Sequence, residues 1–109
     1  MAAPVKMTTT VAQVLSCFLA DVDAERYGLD LMRDTGLPSG TLYPILARLQ
    51  RAGWLRASWE DIDPEAAGRP ARRYYLLTPD GAATARTELA GLRDKLAKAL
   101  GPIGRTQTT

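Results

Sequence analysis

The chain has 109 residues, which is enough for one domain and too few for two independent hydrophobic cores. Its apolar fraction of 46% is ordinary for a folded globular protein and argues against wholesale disorder. The formal net charge is only +2, so overall basicity does not indicate a nucleic-acid partner, and such a function must rest on where the charges lie.

Helical periodicity covers the first half of the chain in three segments, after residues 1–7, which we expect to be disordered. The first helix begins near Thr8 to Thr10 and carries an apolar stripe at Val11, Val14, Leu15, Phe18 and Leu19. The second has Asp23 as its predicted N-cap and Gly36 as its stop. The third has Ser39 as N-cap, ends at Gly53 and buries Leu42, Ile45, Leu46 and Leu49.

After Gly53 the hydrophobic period changes from that of a helix to two. Residues 54–59 and 73–77 are predicted to be two strands of a hairpin, joined by a loop over residues 61–71. Thr78 caps a last helix that runs to about Leu100, and residues 103–109 are expected to be frayed. The sequence therefore predicts a mainly α fold with a small β-hairpin: a winged helix-turn-helix domain over residues 8–77, followed by a long C-terminal helix over residues 78–102.

The third helix presents a surface suited to DNA opposite its leucine stripe. This surface is small near the helix N-terminus, bears hydroxyls and ends in two arginines: Ser39, Gly40, Thr41, Pro44, Ala47, Arg48 and Arg51, with Tyr43 at the flank. Small residues allow close approach to base edges, hydroxyls and the helix N-terminus can bind phosphate, and arginines can bind phosphate or guanine. The alternative interpretation is that these polar residues only solvate a surface helix.

The hairpin loop adds a second basic cluster, Arg69, Arg72 and Arg73, with no acid among them. Gly68 and Pro70 flank Arg69, so we expect it to project from a tight loop tip as a minor-groove arginine does. Four acids precede this cluster, and they must point away from DNA if the arginines approach it: Glu60, Asp61, Asp63 and Glu65.

The last helix carries a narrow, heptad-like apolar seam at Ala82, Ala85, Leu89, Leu92, Leu96, Ala99 and Ile103. A small domain cannot cover such a helix along its whole length, so a second copy of the chain is the simplest way to bury the seam. We expect the interface to include Ala85, Leu89, Leu92, Leu96 and Ala99, with further contacts from Val11, Leu15 and Phe18 of the first helix. The alternative is that the helix packs entirely on its own domain.

The two tryptophans, Trp54 and Trp59, lie on opposite faces of the first predicted strand. We expect one to be in the core and the other to line the interface between the hairpin and the long helix. A second interpretation is that either ring stacks on a ligand.

Several classes of function lack the residues they need. The chain contains no histidine, no phosphate-binding glycine loop and no nucleophile elbow, so we expect no enzymatic activity, no cofactor and no metal site. Cys17 is the only cysteine, which excludes an intramolecular disulfide, and we expect its thiol to be buried and inert. No stretch is long and apolar enough for a membrane span, and the first residues lack a secretory signal, so we expect a soluble cytoplasmic protein.

Three segments together resemble the PadR-like winged-helix transcriptional regulators: YGLDLMRDTGLPSGTLYPILARLQRAGWL, SWE and GRPARRYYLLTPDG. The likeness covers about residues 11–81, and it implies a homodimeric repressor of a pseudo-palindromic operator on double-stranded DNA that a small aromatic or drug-like ligand releases. It assigns DNA contacts to Ser39, Thr41, Tyr43 and Pro44, and the wing tip to Arg69. Only one helix follows the wing here, as in a short subfamily, so we expect no separate domain for sensing a ligand.

A second hypothesis remains open on the sequence: a winged-helix dimer that acts through protein contacts, as an adaptor or antagonist without an operator. Arginines without neighbouring acids on both the third helix and the wing favour DNA, because an adaptor does not need them. A metal-sensing repressor is disfavoured, because the paired cysteines and histidines that bind the metal are missing.

Overall fold

The structure, a computed structural model, describes residues 2–101. Its elements in chain order are α1 (Thr9–Ala20), β1 (Arg26–Tyr27), α2 (Gly28–Thr35), α3 (Ser39–Arg51), β2 (Leu55–Trp59), α4 (Pro64–Ala67), β3 (Arg73–Leu77) and α5 (Pro79–Leu100). The strands form one antiparallel sheet in the order β1-β3-β2. The predicted fold class, helical with a β-hairpin and a long last helix, is confirmed, and the predicted frayed tail lies outside the described residues.

Two threonine caps set the first and last helices where the sequence predicts them. The Thr8 hydroxyl accepts a hydrogen bond from the Val11 amide at 3.2 Å, and the Thr78 hydroxyl accepts one from the Gly81 amide at 2.9 Å. Each bond pairs an amide that the first turn of a helix leaves without a backbone partner. Asp80 adds an acid to the first turn of α5, where it favours the positive end of the helix dipole.

The structure corrects the predicted start of α2. The helix begins at Gly28, after Tyr27, whereas Asp23 was expected as its N-cap. The two residues before the helix form β1, with Arg26 paired to Tyr75 of β3. A strand of two residues is too short to show a period, and it exists because the edge of the hairpin satisfies its backbone. The predicted loop over residues 61–71 also contains α4, a single helical turn.

The segment before α1 is packed, which corrects the predicted disorder for residues 2–7. The Ala3 amide donates to the Ala52 carbonyl at 2.7 Å, and the Ala3 carbonyl accepts a hydrogen bond from the Trp54 indole nitrogen at 2.6 Å. Val5 is buried in the core. Contacts between residues about fifty positions apart leave no local pattern, so periodicity could not reveal them.

Trp54 is the largest fully buried side chain of the core. The predicted apolar stripe of α3 is buried in the same core. The same core buries four residues that were predicted to face a partner subunit: Val11, Leu15, Phe18 and Ala85. Because α1 and the first turns of α5 cover each other within one chain, these side chains offer no surface to a second copy. The prediction that these four residues contact a partner subunit is therefore wrong. They belong to the core of a single chain.

Gly81, in the first turn of α5, lies directly against the backbone carbonyl of Trp54, and a Cβ at this position would overlap it. We expect Gly81→Ala to lower the free energy of unfolding by about 2 kcal/mol, because a backbone carbonyl cannot move aside as a flexible side chain can. Urea denaturation followed by circular dichroism measures the change.

Gly91 in the same helix is the matched control, since a Cβ there would meet nothing within 4 Å. Gly91→Ala should raise the stability by roughly 0.5–1 kcal/mol through the better helix propensity of alanine. Equal denaturation midpoints for the two variants would contradict the proposed close contact.

Candidate nucleic-acid interface

The outer face of α3 gathers the helix residues that the sequence assigned to DNA. Its inner face is buried through the leucine and isoleucine stripe. On the outer face, Thr41 is half-buried, and the other predicted contacts are exposed: Ser39, Gly40, Tyr43, Pro44, Arg48 and Arg51. One helix therefore presents a continuous polar surface with two arginines in its second half, and the helix itself contains no acid.

The two arginines of this face are available to an outside anion. Over residues 2–101, neither Arg48 nor Arg51 lies within ion-pair distance of a carboxylate. A guanidinium offers five N–H donors in a planar fork, which matches a phosphate or the acceptor edge of guanine. The face can therefore supply both backbone and base contacts.

Tyr43 marks the contact between α2 and α3. Its phenol ring lies against the backbone of Gly28, the first residue of α2, where a Cβ would overlap the ring. This close approach holds the start of α2 against the first half of α3 while leaving Tyr43 partly exposed. The sequence pointed to Tyr43 as a flank residue but carried no signal for its glycine partner.

The wing is the β2–β3 hairpin with its connecting segment. Strand register places Trp59 opposite Arg73 and Ala57 opposite Tyr75. The pairing continues one step past the strands, where the Glu60 amide donates to the Arg72 carbonyl at 2.8 Å.

Arg69 does not project from the wing, and this corrects the sequence prediction. Its Nη1 and Nη2 atoms donate to the two carboxylate oxygens of Glu60 at 2.6 Å and 3.1 Å. The same carboxylate accepts the Arg72 amide at 2.8 Å. Glu60, one of the four acids that precede the arginine cluster, therefore folds the loop onto itself through a two-pronged ion pair.

The ion pair changes the chemistry of the carboxyl group. The hydrogen bond from Arg69, reinforced by the Arg72 amide and both positive charges, lowers the pKa of Glu60 from its ordinary value of 4.5 to about 2. Burial and the charge of Glu60 in turn raise the pKa of the Tyr27 phenol. The Glu60 carboxylate is thus ionised at neutral pH. It binds the guanidinium of Arg69, which was expected to contact DNA.

The other two wing arginines are exposed, and Arg73 lies next to α3. Its Nη2 atom donates to the Gln50 side-chain oxygen at 3.4 Å, a long hydrogen bond. Its Cζ atom lies 5.7 Å from the centre of the Trp59 ring and 6.0 Å from that of Tyr75. The wing therefore turns Arg73 toward the helix that carries Arg48 and Arg51.

A groove of about 490 Å³ runs between α2, α3 and the wing. Aromatic and basic side chains line most of it: Tyr27, Tyr43, Tyr75, Arg33, Arg72 and Arg73. Arg33 is already paired with Asp30 at 2.7 Å. The groove opens on the same side of the molecule as the outer face of α3, since Tyr43 belongs to both.

The structure separates the two tryptophans that the sequence offers for ligand stacking. Trp54 is completely buried and its indole N–H is bound to the Ala3 carbonyl, so it has no face for a ligand. Trp59 is 61% exposed at the far end of β2. It does not line the interface with the long helix, which corrects that prediction.

The apolar seam of α5 divides into a covered part and an uncovered part. Leu89 and Leu92 are half-buried, whereas Ala99 is exposed and Leu96 is 53% exposed. The second half of the helix thus extends beyond the domain with apolar side chains in solvent.

Two further kinds of site are missing from residues 2–101. No group of three or more histidine, cysteine, aspartate or glutamate side chains is arranged there to hold a metal ion. No helix in this range is long and apolar enough to cross a membrane. Cys17 is half-buried, which corrects the expectation that it is fully buried, and this partial burial raises the pKa of its thiol.

Residues 18–87 match the model of the transcriptional regulator PadR-like family. Among solved structures, smu.1704 from Streptococcus mutans has a TM-score of 0.71 at 24% identity, with 95% of this chain and 94% of that chain covered. A PadR-like transcription factor from Bacteroides fragilis has a TM-score of 0.62 at 24% identity, with 85% and 91% covered. BpsR of Bordetella bronchiseptica has a TM-score of 0.67 at 20% identity, with 94% and 74% covered. No curated protein matches the sequence.

The Glu60 carboxyl should titrate near pH 2, because its pKa is lowered mainly by the Arg69 hydrogen bond. A lowered folded-state pKa means that the ion pair stabilises the wing above the ordinary glutamate range and loses this effect as the pH falls from about 4.5 toward 2. The carboxyl carbon chemical shift of Glu60, followed by NMR during an acid titration, measures the pKa.

Arg69→Ala should return the Glu60 pKa toward its ordinary value, whereas Arg56→Ala, which removes an exposed arginine of β2, should not. A wild-type carboxyl that titrates in the ordinary range would show that the ion pair does not form in solution.

Proposed function

We propose that this chain, which belongs to the PadR-like family of transcriptional regulators, is a homodimeric repressor of a pseudo-palindromic operator. The family is one of transcriptional regulators and not of enzymes. The observation that carries the proposal is the acid-free outer face of α3, whose Arg48 and Arg51 have no carboxylate partner within residues 2–101.

We assign α3 to the major groove. Its first turn exposes Ser39 and Gly40, so the backbone can approach a base edge closely, and its hydroxyls and N-terminal amides suit a phosphate. The two arginines follow one turn apart, at a spacing that lets one contact a base while the other holds the backbone. Helices that precede a wing are used in this way in winged-helix proteins.

Arg72 and Arg73 take the wing contacts in this proposal, because Arg69 is held by Glu60. Both side chains are exposed and line the groove beside α3. Two cations on the wing, beside the helix that carries Arg48 and Arg51, suit the passage of one phosphate backbone between the helix and the wing.

The alternative function, a protein-binding adaptor without an operator, is less well supported by the charges. Protein interfaces gain little from isolated exposed cations, whereas DNA offers a line of phosphates to each of them. Four exposed arginines on one side of the chain, two on α3 and two on the wing, favour DNA.

Dimerisation through α5 follows from its uncovered seam. The helix has 22 residues and so is about 33 Å long, while the domain covers only its first turns. Leu89, Leu92, Leu96 and Ala99 lie along one side of the remainder. A two-fold partner that buries this side would place two copies of α3 for successive turns of a DNA duplex, roughly 34 Å apart.

Release by a small aromatic ligand is the third part of the proposal. The DNA binding of the structural neighbour BpsR is regulated by 6-hydroxynicotinic acid. In this chain the groove beside α3 has three tyrosines and, besides Arg33 with its partner Asp30, two exposed arginines, which suit an aromatic acid. A ligand bound there would occupy the path proposed for the phosphate backbone, so it would compete directly with the operator.

The test of operator binding begins with selection of bound fragments from the genomic DNA of the source, followed by affinity measurements on a recovered duplex by fluorescence anisotropy. Arg48→Ala or Arg51→Ala should weaken binding by about 1–3 kcal/mol where the side chain reads a base. Arg56→Ala is the matched control, because it removes an exposed arginine on the reverse face of the hairpin.

Equal affinities for all three arginine variants at moderate salt would remove α3 from the interface. The same assay repeated with 6-hydroxynicotinic acid present tests the ligand, whose addition should lower the affinity of the wild type.

Dimerisation is tested by Leu96→Asp, which we expect to give monomers because it places a charge in the middle of the apolar seam. Thr87→Asp, an exposed position on the opposite side of α5, should leave the dimer intact. Sedimentation equilibrium distinguishes the species. A Leu96→Asp protein that is still dimeric would show that the seam is not the interface.

A further inference from the structure

Trp59 is a large aromatic side chain that the hairpin leaves in solvent. It is 61% exposed, whereas Trp54, five residues earlier, is completely buried. Leaving most of an indole in water forgoes the stabilisation that burial of its apolar surface would give. Tryptophan and tyrosine are enriched where a surface meets a partner, because they offer apolar area and a polar atom together. An exposed ring of this size therefore points to a partner that covers it.

Trp59 lies on the face of the hairpin that is turned toward α3. The register pairs Leu55 with Leu77, Ala57 with Tyr75 and Trp59 with Arg73, so these three pairs share one face of the sheet. The first pair is buried in the core and the last reaches past the core into solvent.

Arg73 links this end of the hairpin to the recognition helix. Its guanidinium stands over the Trp59 ring at 5.7 Å from the ring centre, and it also donates a long hydrogen bond to Gln50 of α3. Trp59 and Arg73 thus form an exposed aromatic–cation pair beside the helix that carries Arg48 and Arg51.

The reverse face of the wing carries acids beside β1, although Arg56 is exposed elsewhere on that face. A shallow depression there is lined by Glu25, Glu60 and Asp61 together with Tyr27 and Tyr74. Phosphates are repelled from that depression and attracted to the Trp59–Arg73 face. The arrangement of charge therefore favours the Trp59–Arg73 side of the wing for DNA, although the connecting segment as a whole contains four acids.

Given the operator binding proposed above, on which this step rests, we infer that Trp59 is a DNA-contacting residue of the wing. Its ring packs against the sugar–phosphate backbone, and its indole N–H, which is a donor only, bonds a phosphate oxygen. Arg73 neutralises the same phosphate. The pair takes the place at the duplex that the sequence suggested for Arg69.

The first experiment measures affinity for sonicated genomic duplex at low ionic strength. Trp59→Ala should bind roughly tenfold more weakly than the wild type, the effect of losing one contact of about 1.4 kcal/mol. Trp59→Phe, which keeps an aromatic ring but loses the N–H, should fall between the two. Ser58→Ala is the matched control on the reverse face of β2 and should bind as the wild type does. Because both side chains are exposed, all three variants should keep the wild-type melting temperature.

The second experiment uses acrylamide quenching of tryptophan fluorescence. In the free wild type, Trp59 should be quenched and Trp54 shielded, and addition of the duplex should protect Trp59. Trp59→Phe leaves only Trp54, so its low quenching should not respond to DNA. A double variant with Trp59→Phe and Ser58→Trp carries an indole on the reverse face, where quenching should stay high in the complex.

Two results would overturn the inference while leaving the proposed function standing: a wild-type complex in which Trp59 remains fully open to acrylamide, or a Trp59→Ala protein with wild-type affinity. Protection of Trp59 by polyglutamate but not by the duplex would assign this face to an acidic protein partner instead. A wild-type protein that retains no duplex at low ionic strength would refute the proposed function, and the inference with it.

Discussion

The position of Trp54 at the junction of four segments holds the wing and the helices in one arrangement. Its amide donates to the Leu49 carbonyl at the end of α3, and its carbonyl accepts the Thr78 amide ahead of α5. Its indole N–H is satisfied by Ala3, and a buried donor without a partner would cost about 1–3 kcal/mol. Gly81 allows α5 to touch the Trp54 carbonyl. A single buried residue thus fixes the angle between α3, the hairpin and the last helix.

Because that angle is fixed, the fold determines which way each charged side chain of the wing points. The order of these residues in the sequence does not reveal this. The front of the hairpin continues the core outward from Leu55 to Trp59 and ends beside α3. On the back, Glu25, Glu60 and Asp61 line a shallow depression next to β1, the strand at the edge of the sheet. The Glu60–Arg69 pair lies within the connecting segment and removes one charge of each sign from the outward field. What remains is a basic, aromatic front and a back on which Glu25 and Asp61 are offset by Arg56, and this arrangement supports a DNA-binding role better than the total charge does.

Elements with a repeated apolar stripe could be predicted from the sequence. Elements held in place by residues that are far away in the chain could not. The stripe of α3 and the threonine caps of α1 and α5 are local signals, so both survive comparison with the structure. β1, the packed N-terminal segment and the Glu60–Arg69 pair depend on residues that only the fold brings together. Periodicity also cannot tell a protomer's own core from a partner: Leu15 and Leu96 both lie on apolar helix faces, yet only Leu15 is buried within the chain.

A low net charge affects how a DNA-binding protein distinguishes its own site from other DNA. Non-specific binding to DNA is mostly electrostatic, so its strength follows the number of phosphates neutralised and falls steeply with salt. A chain with a net charge of +2 that places four exposed arginines, two on α3 and two on the wing, on one side has less attraction for DNA in other orientations. Discrimination must then come from the few contacts that the fixed geometry of α3 and the wing permits. The ion pair that withdraws Arg69 adds to this effect, because it lowers the general attraction for phosphate while ordering the segment that carries Arg72 and Arg73.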